Sequence, residues 1–136
     1  MFNAEHGKGA FLNWIPIHVN TNNDESEIIF IPRIRNQFDA DWNLNLSKII
    51  LQTTTICSVG SVAIHYCYVA CGRSNCAITL NKDTFPEFAG KLILEEAGGV
   101  LTNFNGDELT KDTRGILATR KDFQSKYLKI LSLANT

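Results

Sequence analysis

Between Thr84 and Gly99, apolar residues recur at three- and four-residue steps: Phe85, Phe88, Ala89, Leu92, Ile93 and Ala97. That spacing predicts a helix with one continuous apolar side, which is expected to be buried. Thr84 followed by Glu87 reads as a capping box, and Pro86 falls in the first turn, where its missing N–H costs no helical bond. Gly98-Gly99 is expected to end the helix, because glycine adopts the left-handed C-cap conformation cheaply.

The same reading extends along the chain. Ile15, Ile17 and Val19 alternate with other residues and follow Gly7-Lys8-Gly9, so a tight turn and a short β-hairpin are expected near the start. Residues 20–27 are polar and turn-rich, as in a linker. Residues 28–31, bounded by Pro32, form an apolar run typical of a buried strand. A helix is expected over 39–53, capped by Asp39 or Asp41, with Trp42, Leu46, Ile49 and Ile50 inward. The β-branched residues 54–59 predict a strand. Residues 61–71 are apolar nearly all round and stop at Gly72, as in a buried helix. Residues 76–80, 100–104 and 115–119 read as further strands, with a turn at Asn105-Gly106-Asp107. Phe123, Tyr127, Ile130, Leu131 and Ala134 predict an amphipathic C-terminal helix. Strands alternating with helices imply a layered α/β domain with a mostly parallel sheet flanked by helices. Residues 1–22 are then a β-hairpin, and residues 23–136 one α/β domain.

Composition narrows the function classes. With 136 residues, 44% hydrophobic, and a formal net charge of −1, the chain is long enough for one cored domain. Its basic residues are dispersed and matched by acidic ones, which argues against a nucleic-acid partner. No apolar run approaches the roughly 20 residues needed to span a bilayer, and no signal-peptide pattern opens the chain, so the expected location is the cytoplasm.

The residues that usually carry chemistry mostly read as structural. Cys57, Cys67, Cys71 and Cys76 have spacings that match no zinc pattern, and are expected to be reduced, buried small hydrophobes. His65 has no second histidine at helical spacing to complete a metal pair, and reads as a hydrogen-bonded or partly exposed side chain. Gly7-Lys8-Gly9 lacks the remaining positions of a P-loop and reads as a plain turn. Glu95 and Glu96 do not face a common point on a helix, so solvated or capping roles are expected. Asp107, Glu108, Lys111 and Asp112 lie in a polar turn and read as solvated. The segment from Asn103 to Asp107 lacks the spaced carboxylates of a calcium loop. No set of nucleophile, base and orienting group emerges.

Several ordered motifs carry a resemblance. Residues 85–99, with Ala89-Gly90, Leu92-Ile93 and Glu95-Glu96-Ala97-Gly98-Gly99, resemble the C-terminal signature of the inositol monophosphatase family, in which Trp-Asp opens a helix ending in Glu-Ala-Gly-Gly. Val59-Gly60-Ser61-Val62-Ala63 is similar to the family's Gly-Ser/Thr-Ala-Ala turn into a helix. Tyr68 to Arg73 is similar to the Val-Ala-x-Gly that follows, and Ile116-Leu117-Ala118-Thr119 to the last strand. Residues 4–13 resemble the family's Gly-x-Gly-Ala-Phe-x-Asn hairpin. By this resemblance the fold is that of the C-terminal half of the inositol monophosphatase architecture.

The resemblance implies a magnesium-dependent phosphomonoesterase, in which carboxylates hold Mg²⁺ ions that activate a water and clamp the phosphate. This chain departs from the pattern at the carboxylates. The family's upstream Glu and Asp-Pro-x-Asp-Gly-Thr motif do not occur in it. The metal-ligand Asp expected at the helix start falls on Pro86, and Glu87 beside it points about 100° away on a helix. The acidic residue expected against the substrate's hydroxyls falls on Thr79, and an Asp expected before that strand is Asn75. The turn at Gly60, Ser61 and Val62 corresponds to the family's substrate-facing main chain, with Ser61 also placed to be the N-cap of its helix.

No catalytic or metal-binding residue is therefore expected, the remnant of a substrate site being Gly60, Ser61, Val62 and Thr79. The function expected is that of a non-catalytic family protein acting through binding or assembly. The alternative is an enzyme part that works with a separately supplied N-terminal half. No cofactor is expected for the chain itself, Mg²⁺ being the family's. An apolar surface that the family's other half would cover implies a homo-oligomer or that complementary half as partner.

Overall fold

The computed structural model describes residues 1–22, 27–31, 37–50, 54–59, 61–80, 85–113 and 115–134. The first three strands, β1 (Phe2–Ala4), β2 (Ala10–Leu12) and β3 (Ile15–Ile17), form an antiparallel sheet in the order β1-β2-β3. The expected hairpin is thus a three-stranded meander with two turns. The second turn is Asn13-Trp14, with φ of 50° and 68°. Positive φ at both central residues is what a type I′ two-residue hairpin loop requires, and its twist matches the flanking strands.

The main sheet holds β4 (Glu27–Phe30), β5 (Thr54–Cys57), β6 (Cys76–Thr79), β7 (Gly99–Asn103) and β8 (Ile116–Arg120) in the order β5-β4-β6-β8-β7. It is mixed, with four strands running one way, as a mostly parallel sheet requires, and β8 alone against them. β4 pairs in parallel with β5 and β6, while β8 runs antiparallel to β6 and β7. The reason lies in the connections. β7 and β8 follow one another without a helix between them, and such a pair can close only as an antiparallel hairpin. The crossover from β6 through α3 (Phe85–Glu96) to β7 leaves one position vacant in the sheet, and β8 fills it.

Helices α1 (Gln37–Ile50), α2 (Val62–Ala70), α3 and α4 (Gln124–Ala134), the last entered through a 3-10 turn at Lys121–Phe123, cover the sheet. Two cores result. One joins Phe30, Tyr66, Val69, Leu94, Ala97 and Leu101 beneath α2 and α3. The other joins Ile29, Trp42, Leu46, Ile78, Leu117, Tyr127 and Leu131 beneath α1 and α4. α1 begins at Gln37, so Asp39 and Asp41 lie inside it and are not its cap. Its inward residues Trp42 and Leu46 are buried as expected, while the side chains of Ile49 and Ile50 lie outside the description.

α3 is a helix as its periodicity predicts, but its buried stripe is rotated. Gly90, Leu94 and Ala97 are buried, whereas Phe88 is 67% exposed and Ala89 is exposed. Glycine carries no hydrophobic signal, so a pattern of apolar side chains could not mark the side along which α2 approaches. Gly98 is the left-handed residue that ends α3, with φ of 92°. Gly99 is already in β7 and serves packing, since a Cβ there would lie 2.3 Å from Leu94 Cδ1. Thr84, and with it the expected capping box, lies outside the described residues.

Candidate functional site

Parallel strands point their carboxyl ends the same way, and in α/β sheets ligands bind beyond those ends. In this chain the ends of β4, β5 and β6 lead respectively to Ile31, to Ser58-Val59 and to Thr79-Leu80. The starts of α2 and α3 follow the latter two. Of the expected remnant residues, Ser61 and Val62 after β5 and Thr79 closing β6 therefore share one end of the sheet, and Pro86 in the first turn of α3 lies at that same end. Gly60 lies outside the described residues.

The turn between β5 and α2 is held from below. His65 is buried, stacks on Phe30 at 4.6 Å between ring centroids, and accepts the Val59 N–H at Nε2 over 3.1 Å. That acceptance requires Nε2 to be unprotonated, so the imidazole is neutral, and burial lowers its pKa further from the ordinary histidine value. The hydrogen-bonded reading of His65 holds, and the side chain is interior rather than partly exposed. Ser61 stands at the N-cap position with extended φ and ψ of −129° and 116°, but its hydroxyl makes no capping hydrogen bond. The cap expected from its side chain is absent, and the Ser61 carbonyl receives the first helical N–H, from His65.

Thr79 is buried at the end of β6 and pairs in register with Ile116. Asn75, the other position where the resemblance expects an Asp, has a structural task. Its backbone N–H donates to the Ile28 carbonyl over 2.9 Å, and its side-chain oxygen accepts the Ile28 N–H over 3.0 Å. The Thr119 hydroxyl donates to the Asn75 carbonyl, which ties β8 to the same point. Asn75 thus registers β4 against β6 from the end opposite Thr79.

Glu96 holds a role that sequence reasoning missed. Its carboxylate accepts the backbone N–H groups of Gly7 over 2.7 Å and of Gly9 over 2.9 Å, with His6 Nδ1 3.8 Å away. These bonds, chiefly that from Gly7, lower its pKa below the ordinary carboxylate value. Gly7-Lys8-Gly9 is therefore more than a plain turn. It is a nest of amides, with φ of 77° at Gly7 and 87° at Gly9, and a carboxylate of α3 fills it. Glu95 stays at the surface and pairs with Lys91, which also pairs with Glu108. The Asn103 side chain accepts the N–H groups of Asn105 and Asp107, so an amide organises that turn.

No disulfide joins the four cysteines. Cys67 and Cys76 are buried, and burial, with the neighbouring Cys71 adding to it, pushes the Cys67 thiol up to about 11. At neutral pH it is a small hydrophobe. A cleft lined by Asn20, Thr21, Gly98, Arg120 and Lys121 lies at the other end of the sheet. Its buried cation, Arg120, is engaged by Asp122, by the Asn22 carbonyl and by the Phe123 ring.

The described residues do not fit a magnesium site. None of the His, Cys, Asp and Glu side chains among them form a group of three or more able to hold a metal ion. At the carboxyl end of the parallel strands Ser61 and the buried Thr79 carry hydroxyls, not carboxylates, and Pro86 has no side-chain oxygen. Mg²⁺ is held in proteins through carboxylates.

A layered α/β domain that gathers a strand-to-helix turn, a strand end and a helix start at one sheet end is of the class that binds small ligands there. The chain belongs to the inositol monophosphatase family, whose model matches residues 1–135. It is 27% identical over 129 residues to the fructose-1,6-bisphosphatase/inositol-1-monophosphatase of Thermotoga maritima, covering 95% of this chain and 49% of that protein. It is 31% identical over 120 residues to the Nus factor SuhB of Xylella fastidiosa, covering 85% and 43%. Among solved structures it superimposes on a Thermotoga maritima IMPase with a TM-score of 0.87 at 25% identity, covering 98% of this chain and 52% of that one. The SuhB protein of Bartonella henselae follows with a TM-score of 0.86 at 26% identity, covering 96% and 51%. The chain thus spans about half the length of these relatives. No helix among the described residues is long and apolar enough to cross a membrane.

Proposed function

We propose that this chain is a non-catalytic member of the inositol monophosphatase family that acts through binding or assembly. The observation that carries this is Pro86. It stands in the first turn of α3, where the family resemblance calls for a metal-binding carboxylate, and proline has no oxygen to offer. Thr79 and Asn75 agree with it, since each replaces an expected carboxylate by a neutral group and Asn75 is committed to joining β4 and β6. What the chain keeps at that end of the sheet is Ser61 and Val62 leading into α2, which can meet a ligand through neutral polar groups. It needs no cofactor of its own on this reading, and its partner is a second copy or a complementary half of the family fold.

The test is phosphate release from a panel of small phosphomonoesters, including inositol 1-phosphate, with and without Mg²⁺. The natural chain is assayed alone and mixed with a separately produced N-terminal half of the Thermotoga maritima relative, beside Pro86→Asp in the same mixtures. No release by the natural chain in either condition is expected. Mg²⁺-dependent turnover above a mock purification, alone or in the mixture, overturns the reading, the mixture alone favouring an enzyme part completed by a second chain.

A further inference from the structure

The last turn of α3 carries two acids, Glu95 and Glu96, and no basic residue. Negative charge at a helix C-terminus opposes the macrodipole, so each carboxylate calls for a compensating partner. Glu95 has Lys91 one turn back. Glu96 finds its partners 87 and 89 residues away in the chain. Gly7 donates to one of its oxygens and Gly9 to the other, while the N–H of Lys8 between them closes the turn on the Glu5 carbonyl. The Lys8 ammonium is engaged by Glu5, so the two amides, with His6 at 3.8 Å, make the seat. A Cβ at Gly7 would meet nothing within 4 Å, so glycine is called for there by its φ of 77° and not by space.

The same helix end holds the meander a second time. The N–H of Val19, just past β3, donates to the Ala97 carbonyl over 3.0 Å. β2 and β3 are thus bracketed by ties to consecutive residues, 96 and 97. Between those ties Ala10 is buried in the core that contains Leu94 and Ala97, and Ile17 and Val19 pack against it.

We propose that Glu96 is a latch that docks the meander on the end of α3, and that its seat at Gly7 and Gly9 is a carboxylate site which a free carboxylate fills once Glu96 is removed. Backbone amides converging on one acceptor are an anion site, and here the chain supplies the anion itself. Because the two amides address two different oxygens, the seat selects a carboxylate over a monatomic anion. The charge on the acceptor strengthens both bonds. Seating holds Gly9 against α3, which delivers Ala10 to the core and brings the far end of the meander, at Val19, within reach of the Ala97 carbonyl.

Amide hydrogen exchange of the full chain, followed by NMR, tests it. In Glu96→Ala the Gly7 and Gly9 amides are expected to exchange at least about tenfold faster than in the natural chain, as the loss of a hydrogen bond to a charged group implies. The Val19 amide bonds neither Glu96 nor its seat, so it reports docking, and it should accelerate with them. Acetate at about 100 mM should slow all three amides again in Glu96→Ala, and sodium chloride of equal ionic strength should not. The Leu101 and Leu117 amides, in the main sheet, should keep their natural rates, which shows the variant folded. If it is not folded, Glu96→Gln, which keeps the length and one acceptor oxygen, should speed the same three amides by a smaller factor and carries the test. An unchanged Val19 rate in the folded variant would overturn the latch. Failure of acetate to restore Gly7 and Gly9, or equal restoration by chloride, would overturn the carboxylate site.

Discussion

Gly90 lets the ring of Tyr66 lie directly on the backbone of α3. A Cβ at position 90 would stand 2.5 Å from Tyr66 Cδ2 and 3.1 Å from Tyr66 Cβ. The second of these atoms is next to the α2 backbone and cannot rotate away, and Tyr66 is fully buried. Gly90→Ala gains about 1 kcal/mol of helix propensity but forces the two helices apart, which costs about 1–3 kcal/mol. The clash at the immobile Tyr66 Cβ offsets the propensity gain, and a net loss of up to about 2 kcal/mol is expected in urea unfolding. An alanine variant as stable as the natural chain would show that α2 and α3 are not in this contact.

The neutral state of His65 makes the turn before α2 sensitive to acid. Its pKa in the folded chain is lowered from 6.5 by burial, so the unfolded chain binds the proton more readily. The stability it contributes is fully present above pH 6.5 and is lost as the pH falls through the lower folded value. Protonation of Nε2 also removes the acceptor of the Val59 N–H. An NMR titration of the His65 ring should give a midpoint below 6.5, and the urea midpoint should fall more steeply between pH 7 and 5 than in His65→Gln. A ring midpoint above 6.5 contradicts the assignment.

Trp14 occupies a left-handed turn position with a side chain that is 74% exposed. An L-residue other than glycine is held there at a cost of about 1–2 kcal/mol, and an exposed indole recovers little of it by burial. Trp14→Gly is therefore expected to stabilise the chain by about 1 kcal/mol, read as a rise in the thermal midpoint. A loss of stability would mean that the indole packs on the sheet more than its exposure indicates.

Much of the fold was legible one element at a time. The buried strand from Ile28 onward, the all-apolar helix ending before Gly72, and the stripe of Tyr127, Leu131 and Ala134 are read from periodicity, because each packs its own apolar residues inward. The direction of the strands was less legible, since β8 enters between β6 and β7 through pairings distant in sequence. At the candidate site the positions were readable and their tasks were not. Nothing in the spacing of His65 from Val59, or of Asn75 from Ile28, marks those hydrogen bonds, because the partners meet only when helix and sheet are stacked.

The sequence by itself determined the family and the alternation of strands and helices. These are properties of residue type and local order. Only the tertiary structure decided which side of α3 is buried and that Glu96 fills the Gly-Lys-Gly nest. Each of those depends on backbone groups and glycines. Such groups carry no side-chain signal, and their partners are chosen by packing across long stretches of chain.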